Sequence, residues 1–431
     1  MTAVGTFHIA KVAGVVHCLG AMREGGGASP YEVLRNRDFL LYLIGRFIAS
    51  FGQQMVTVAV GWELYERTRQ PLALGLVGLT QMVPMIALTL PAGHFADNHD
   101  RKRIIMTGML VMSLASIGLA IASGLRAPVG WIYACLFAGG CARTFLWPAS
   151  SAFMTQLVSK ELFPRAVTWN TGSFHLSSVL GPALGGAVIA LTHSATPVFI
   201  FEAIALSTCA ALVFLLRATH TVLQKEPMTL RSLVVGFEFV FSNKIILATI
   251  TLDLFAVLLG GATSLLPVYA KDILNVGPQG LGILQASLPI GSLICSAFLA
   301  HAAPFQRAGR ALLWSVAGFG VATIVFGISR NFALSVAMLV LCGMTDNVSV
   351  VIRHTLVQLL TPDEKRGRVS AVNSLFIGTS NELGGFESGI VAQYFGPIFS
   401  VVAGGVGTIL VAFLIGMKWP QLKRYGRLGS S

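Results

Sequence analysis

The stretch Gly93-His94-Phe95-Ala96-Asp97-Asn98-His99-Asp100-Arg101-Lys102-Arg103 decides how this chain is read. Residues 72–92 before it and 104–125 after it carry no charged side chain. Each run is long enough to cross a bilayer, which takes roughly 20 mainly apolar residues. A charged hinge between two such runs is a loop at a membrane surface.

The whole chain fits that reading. Its 431 residues are 54% hydrophobic and 11% charged, with a mean hydropathy of +0.74. A soluble domain carries about 25% charged residues, and the shortfall is what a lipid-facing surface requires. The net charge of +12 does not indicate nucleic acid, because the charges sit at the ends of apolar runs rather than in a patch. The six cysteines (18, 135, 141, 209, 295 and 342) include no CxxC and no His-paired metal spacing. They read as small packing residues. Residues 1–30 hold only a short apolar run, 12–19, and a Gly-rich stretch. They read as a tail or as an over-called start upstream of Met22, rather than a cleaved signal.

Twelve apolar helices are predicted, at 39–65, 72–96, 103–125, 130–156, 166–191, 197–216, 246–270, 279–300, 310–328, 332–354, 369–394 and 397–417. Internal prolines such as Pro148, Pro182 and Pro267 are tolerated where neighbouring helices satisfy the freed carbonyl. The organisation expected is a tail at 1–38, six helices at 39–216, a cytoplasmic linker at 217–245 holding an interfacial helix, six helices at 246–417, and a tail at 418–431. Of the 30 Lys and Arg residues, 22 fall on the side of the N-terminus, five on the other side, and three (Arg46, Arg143, Arg353) inside spans. Cytoplasmic loops hold the basic excess, so both termini and the 93–103 loop are expected in the cytoplasm.

The halves repeat. At an offset of 207, Asn36 matches Asn243, Arg37 matches Lys244 and Arg103 matches Arg310. At 203, Gly140 matches Gly343, Glu161 matches Glu364, Arg165 matches Arg368, Asn170 matches Asn373, Leu180 matches Leu383, Gly181 matches Gly384 and Gly186 matches Gly389. Parallel repeats about an axis along the membrane normal are the plan of one large transporter class, with its site near the midplane.

With these residues in view, the chain resembles the major facilitator superfamily across residues 31–417. The loop pattern there is Gly-x-Leu-Ala-Asp-Arg-x-Gly-Arg-Lys-Arg. Gly93, Ala96, Asp97, Arg101, Lys102 and Arg103 match it, while Phe95, Asn98 and Asp100 depart, Asp100 standing where a turn glycine is usual. The resemblance implies an all-α membrane protein of twelve transmembrane helices in two six-helix pseudo-symmetric halves. It also implies a gating latch steadying the outward-facing state, with Asp97 facing the N-terminus of the eleventh helix. At offset 207 Asp97 falls on Pro304, so the latch is one-sided. Gly181-Pro182-Ala183-Leu184-Gly185-Gly186 is similar to the Gly-Pro-x-x-Gly-Gly motif of the family's proton antiporters, and implies export. Its glycines allow close helix packing, with the eighth helix (Gly282, Ala286, Gly291) as the suitable partner. The stretches 35–39, 362–369 and 386–389 resemble a bacterial branch that includes the enterobactin exporter and drug or secretion effectors, which implies the inner membrane.

Charges inside spans are functional candidates. Arg143, Asp346 and Glu382 fall near the midplane. Arg46 and Asp253 fall about a third of the way in from the cytoplasm, by the helical rise, and Glu202 and Glu387 nearer the outer face. Arg46 and Asp253 are repeat equivalents, as are Arg143 and Asp346, each pair a cation in the first half and an anion in the second. The helices that line the cavity in the family are the first, fourth, seventh and tenth. The expectation is that these pairs face each other across the cavity, parting when a proton neutralises the acid or an anionic substrate takes the arginine. Gln53 and Gln54 share the face of Arg46, and Gln81, Trp147 and Asn347 are further cavity candidates. His175 reads as a satisfied polar residue. Glu382 is the better placed proton carrier, and Glu387 belongs to the family-like stretch.

The function expected is proton-coupled export of a small organic molecule, a siderophore or a drug, across the bacterial inner membrane by alternating access. The arginines favour an anionic substrate. A nutrient-importing symporter and a non-transporting membrane sensor stay open as alternatives. No P-loop, metal spacing or nucleophile–base arrangement indicates an enzyme or an ATP-driven pump. No cofactor is expected beyond the proton gradient. The partners expected are the substrate, protons and lipid, around a monomer.

Overall fold

An asparagine opens each half. Asn36 Oδ1 accepts from the backbone N–H of Asp38 and Phe39 at 3.0 and 3.1 Å, and its repeat mate Asn243 accepts from Ile245 and Ile246 at 3.1 and 3.2 Å. Both are N-caps satisfying donors that the helix leaves orphaned. In the computed structural model, which describes residues 31–217, 230–302 and 305–426, twelve long helices follow from these starts. The expectations for residues 1–30 and Pro304 lie outside the described residues.

The first half comprises α1 (Arg37–Thr68), α2 (Pro71–Asn98), α3 (Arg101–Gly124), α4 (Val129–Leu157), α5 (Phe163–Thr192) and α6 (Thr196–Phe214). The second comprises α7 (Lys244–Ile273), α8 (Gly277–His301), α9 (Ala308–Ile328), α10 (Phe332–Leu360), α11 (Asp363–Phe395) and α12 (Pro397–Lys418). A helix at Leu230–Ser242 precedes α7. Eleven of the twelve long helices are apolar enough to cross a membrane. The twelfth, α11, falls short because Asn373, Asn381, Glu382 and Glu387 interrupt its apolar residues, yet its 33 residues give about 50 Å of helix. Leu114, Leu191, Phe298 and Phe413 are exposed on the outside of the bundle, the apolar surface that lipid covers.

One element departs from expectation. Helix α7 is not continuous. It breaks after Leu259, passes through a 3-10 turn at Ala262–Leu265, and ends in a π turn at Tyr269–Ile273. Pro267 has no N–H and its ring excludes the carbonyl one turn back, so the helix tightens before it.

The helix contacts obey the repeat. In the first half α1 packs on α5 and α6, α2 on α4, and α3 on α4 and α6. In the second α7 packs on α11 and α12, α8 on α10, and α9 on α10 and α12. The halves meet where α5 crosses α8 and α2 crosses α11. Both crossings are glycine on glycine. A Cβ on Gly186 would lie 3.1 Å from the Gly282 Cα and 2.3 Å from the Pro278 carbonyl, and one on Gly75 would lie 3.1 Å from the Gly389 Cα. Gly75 and Gly282 are 207 apart, and Gly186 and Gly389 are 203 apart. The two crossings are therefore one contact used twice.

An even number of spans puts the first and last described residues at one end of the bundle, the near end. At the opposite, far end one hydrophobic core runs through both halves, joining Val58, Leu64 and Phe199 to Leu265, Tyr269, Leu281 and Phe326. Toward the near end the cores separate. One holds Phe39, Ile105, Leu146 and Phe153 of the first half, and two others hold residues of the second half and of the helix preceding it, among them Val240, Leu252, Leu312, Ile352 and Val369. The bundle is closed at the far end, and the seam between the halves opens toward the near end.

Two outcomes follow from this packing. Gly186→Val and its mate Gly389→Val each overfill a crossing and should each cost about 1–3 kcal/mol, seen as matched losses of thermal stability in detergent. Asn36→Ala and Asn243→Ala should each cost about 1 kcal/mol, and the same melt measures them.

Candidate functional site

The site lies where the seam opens, at the middle of α1, α4 and α11. Arg143 is exposed to solvent midway along α4. With its amide oriented to satisfy both partners, Gln53 of α1 accepts through Oε1 from Arg143 Nη2 at 2.6 Å and from Nε at 3.1 Å. One edge of the guanidinium is thus fixed by a neutral acceptor. The other edge keeps its charge and its donors for something else. Glu382 of α11, in the opposite half, is close enough for its charge to act on Arg143, and so is Glu202 of α6 in the same half. Glu202 is buried and accepts from Ser116 Oγ at 2.6 Å. Glu382 sits on the α2–α11 crossing, where a Cβ on Gly78 would lie 2.5 Å from its carbonyl oxygen and 3.3 Å from its carboxylate. Trp147, one turn along α4 from Arg143 and so on the same face, is 76% exposed.

Counting the helical rise from the far ends puts Arg143, Gln53 and Glu382 all about 20 Å deep. They share one level, and the halves share the group: a cation and an amide from the first, a carboxylate from the second.

The pairing expected from the repeat differs. Asp253 does not meet Arg46. It forms a buried ion pair with Arg353 of α10, inside its own half. Arg46 is half-buried beside Tyr42 and Cys209 of its own half and makes no ion pair among the described residues. Asp346 is half-buried and makes no hydrogen bond or ion pair among the described residues, so Arg143 faces Glu382 in its place. The reason is the open seam. With the near ends apart, the charges low on α1, α7 and α10 turn to their own halves, and at the level of Arg143 it is Glu382 of α11, not Asp346 of α10 at the same depth, whose charge acts on the guanidinium.

The other candidates divide. Gln54 donates to Ser178 Oγ of α5 at 3.1 Å, and Asn347 donates to Ser296 Oγ of α8 at 2.9 Å, so both join helices rather than face the seam. Gln81 lies against Gly140 where α2 crosses α4. Glu387 lies beside the hydroxyl of Ser388, at 3.5 Å. In the antiporter-like motif, Gly181 and Gly185 abut Phe51, Gln54 and Met55 of α1, and of its glycines Gly186 is the one that meets α8. Pro182 contributes its carbonyl to that approach, 2.3 Å from a Cβ on Gly282.

The loop at the near end has its own geometry. Gly93 lies in the last turns of α2, and the Asp97 side chain lies outside the described residues. Asp100 replaces a turn glycine without strain, because its φ is −61° and its carboxylate caps α3 by accepting from Lys102 N–H at 2.9 Å. Lys102 Nζ donates to the carbonyls of Phe214 and Leu216 at 2.9 and 2.7 Å, closing the C-terminus of α6. Arg101 is buried, and Arg103 lies 3.7 Å from Asp100.

Several residues carry more than the sequence suggested. Buried Glu63 pairs with half-buried Arg67 on α1. Ser123 Oγ donates to Glu63 at 2.8 Å, and Arg67 donates to the carbonyls of Ala127 and Ala122 at 2.9 and 3.0 Å. The signal was there, since Glu and Arg four apart share a helix face. Arg353 was visible as a charge within a span. Its repeat mate at offset 203 is Ser150, so the repeat gives it no charged counterpart.

Known proteins place this architecture. The chain matches the Major Facilitator Superfamily profile over residues 42–384. It is 27% identical to the "Enterobactin exporter EntS" of Shigella flexneri over 396 residues, covering 90% of this chain and 93% of that one. It is 25% identical to the protein of the same name from Citrobacter koseri over 389 residues, with the same coverage. Among solved structures, a bacterial homolog of the human lysosomal transporter Spinster, in an inward-facing and occupied conformation, superposes with a TM-score of 0.72 at 14% identity, over 92% of this chain and 99% of that one. A POT family transporter in complex with 5-aminolevulinic acid gives 0.72 at 12% identity, over 90% and 97%. A match across most of the chain, on a twelve-helix bundle with a charged cleft between its halves, makes this a multi-pass membrane transporter and not an enzyme: the chain belongs to the major facilitator superfamily.

Proposed function

We propose that the transporter exports a small organic molecule of the siderophore type across a bacterial inner membrane, in exchange for protons. The observation that carries this is the Arg143 guanidinium, fixed on one edge by Gln53 and facing Glu382 across the seam. The relatives named as enterobactin exporters support the substrate type, and the basic excess at the near end supports a cytoplasmic location for both termini.

On this reading the near-open state takes substrate from the cytoplasm. An anionic group binds the free edge of Arg143, and Trp147 supplies an aromatic wall beside it. Glu382, whose charge reaches the same cation, is the proton carrier on this reading. Exchange requires that proton and substrate be held in turn and never together, so Glu382 gives up its proton to the cytoplasm before substrate is taken and regains one from the far side after release. Binding closes the near ends, and the far ends then open for release. The protein needs only the proton gradient for this and acts as a monomer.

Counterflow in proteoliposomes with an imposed pH gradient tests the reading. A panel of siderophores and drugs should yield at least one substrate moved out of the near-side compartment, faster when the far side is acidic. Movement only in the opposite direction would make it an importer, and no movement of any compound would favour a non-transporting sensor.

The two roles separate by mutation. Arg143→Gln removes a charge-assisted contact worth about 1.5–3 kcal/mol, so substrate affinity should fall by roughly ten- to a hundredfold. Glu382→Gln should keep binding and lose the response to the pH gradient. A Glu382→Gln protein still driven by the gradient would remove that residue from the coupling.

A further inference from the structure

Glu202 lies close to Arg143 and has no task in the cycle above. Helices α1 and α3 enclose it. Its own helix, α6, meets α1 so closely that a Cβ on Gly52 would lie 3.2 Å from the Glu202 Cα. The next residue of α1 is Gln53, which holds the Arg143 guanidinium, so the acid lies beside the turn of α1 that holds the cation. From α3, Ser116 Oγ donates to the Glu202 carboxylate at 2.6 Å, and Ser113 Oγ donates to the carbonyl of Ala203 at 2.8 Å. Glu202 is 4% exposed, and both serines are buried. The carboxylate is therefore pinned to its own half and shut off from water.

Two observations say that this acid is present for its charge. The first is the hydrogen bond from Ser116. At 2.6 Å it has the length of a charge-assisted bond, in which the carboxyl acceptor is ionised. Arg143 is close enough to balance that charge, and a carboxylate buried without such a balance is strongly disfavoured. The second is the other half. At the repeat offsets, Ser113 falls on Gly320 of α9, Ser116 on Thr323 and Glu202 on Gly405 of α12. There the same crossing closes glycine on glycine, with a Cβ on either residue 2.8 Å from the carbonyl oxygen of the other. Thr323 keeps the hydroxyl, which donates to the carbonyl of Phe319 at 2.9 Å. Packing of these helices thus needs no acid. The acid stands in the half whose fourth helix carries an arginine, and glycine replaces it in the half where the mate of that arginine is Asp346.

We propose that Glu202, pinned by Ser116, is a positioning residue for transport: a fixed counter-charge to Arg143 that weakens the hold of the guanidinium on a bound anion enough for the anion to leave.

The proposal rests on the reading that Arg143 takes an anionic group of the substrate. Glu382 acts on the same cation from the opposite half, so its pull changes as the halves move and as its proton comes and goes. Glu202 belongs to the half of Arg143 and travels with it, so its pull persists through the cycle. Inside a protein the attraction between opposite charges is several times that in water. An arginine with no fixed partner there would capture an anion well and release it poorly.

The test is calorimetric binding of two probes to the full chain in detergent: salicylate, an aryl carboxylate, and salicylamide, its uncharged amide. Glu202→Gln keeps the shape of the side chain and removes its charge. It should hold salicylate roughly tenfold more tightly than the parent does, while salicylamide is held alike by both. Damage to the fold would weaken both probes, so a gain confined to the anion is the signature. A hold on salicylate that is equal in Glu202→Gln, weaker or absent overturns the counter-charge, and so does a gain shared equally by salicylamide. Arg143→Gln separates this from the functional reading. Salicylate held as well by Arg143→Gln as by the parent removes Arg143 as the partner of the anion, and the proposal with it. Loss of salicylate there, without a gain in Glu202→Gln, removes the role of Glu202 alone. Should Glu202→Gln fail to fold, the melting of Arg143→Gln against that of Arg143→Gln/Glu202→Gln decides. Without the cation Glu202 is a stranded charge, so the double variant should melt higher than the single. A double variant that melts at or below the single overturns the proposal.

Discussion

Everything in this protein depends on two places where backbone meets backbone. Gly186 against Gly282 and Gly75 against Gly389 bring the halves together with no side chain between them. Within lipid there is no hydrophobic drive to press one helix on another, and close van der Waals approach has to serve instead. The far core forms around these crossings. The seam opens below them, and the charged level lies in the opening. A side chain at either crossing would wedge the halves apart before any other contact formed.

The two halves share a plan but not a chemistry. The first half places its cation where the seam opens and holds it by an amide. The second half places a carboxylate at the same level, on the crossing helix α11. Lower down the contrast continues. Asp253 and Arg353 neutralise each other within the second half, while Arg46 in the first half has no ion pair among the described residues. A buried ion pair inside one half adds little net stability, but it removes two charges from the cleft. The charge left facing the seam is then mainly that of Arg143 and Glu382.

The sequence made the fold legible because a membrane leaves few choices. Apolar length, basic loops and the two offsets were enough to place twelve helices and pair the halves, and the asparagine caps came with the repeat. The interruption of α7 was less legible. Pro267 marks where a helix must adjust, but the choice of a 3-10 turn and then a π turn depends on what packs around it. The site was half legible. Arg143 and Glu382 stood out as charges at the right depth, yet the repeat paired Arg143 with Asp346, because a sequence offset says which residues are equivalent and not which are adjacent. Lys102 is a similar case. A basic loop residue suggests an acid or a lipid phosphate, and no local pattern shows that its ammonium closes the end of α6, 112 residues away.

Tyr65 of α1 donates its hydroxyl to the carboxylate of Asp272 in α7, 207 residues on, so a residue there touches its own repeat mate and lies on the axis relating the halves. If two identical six-helix units had once paired as separate molecules, each position on their shared axis would have faced a copy of itself. Tyrosine would have met tyrosine, or aspartate would have met aspartate and been repelled. A hydroxyl donating to a carboxylate at that spot is possible only when the two units can change independently. It therefore arose after the two units had ceased to be identical, and any ancestral pair of identical units must have joined their far ends by some other contact.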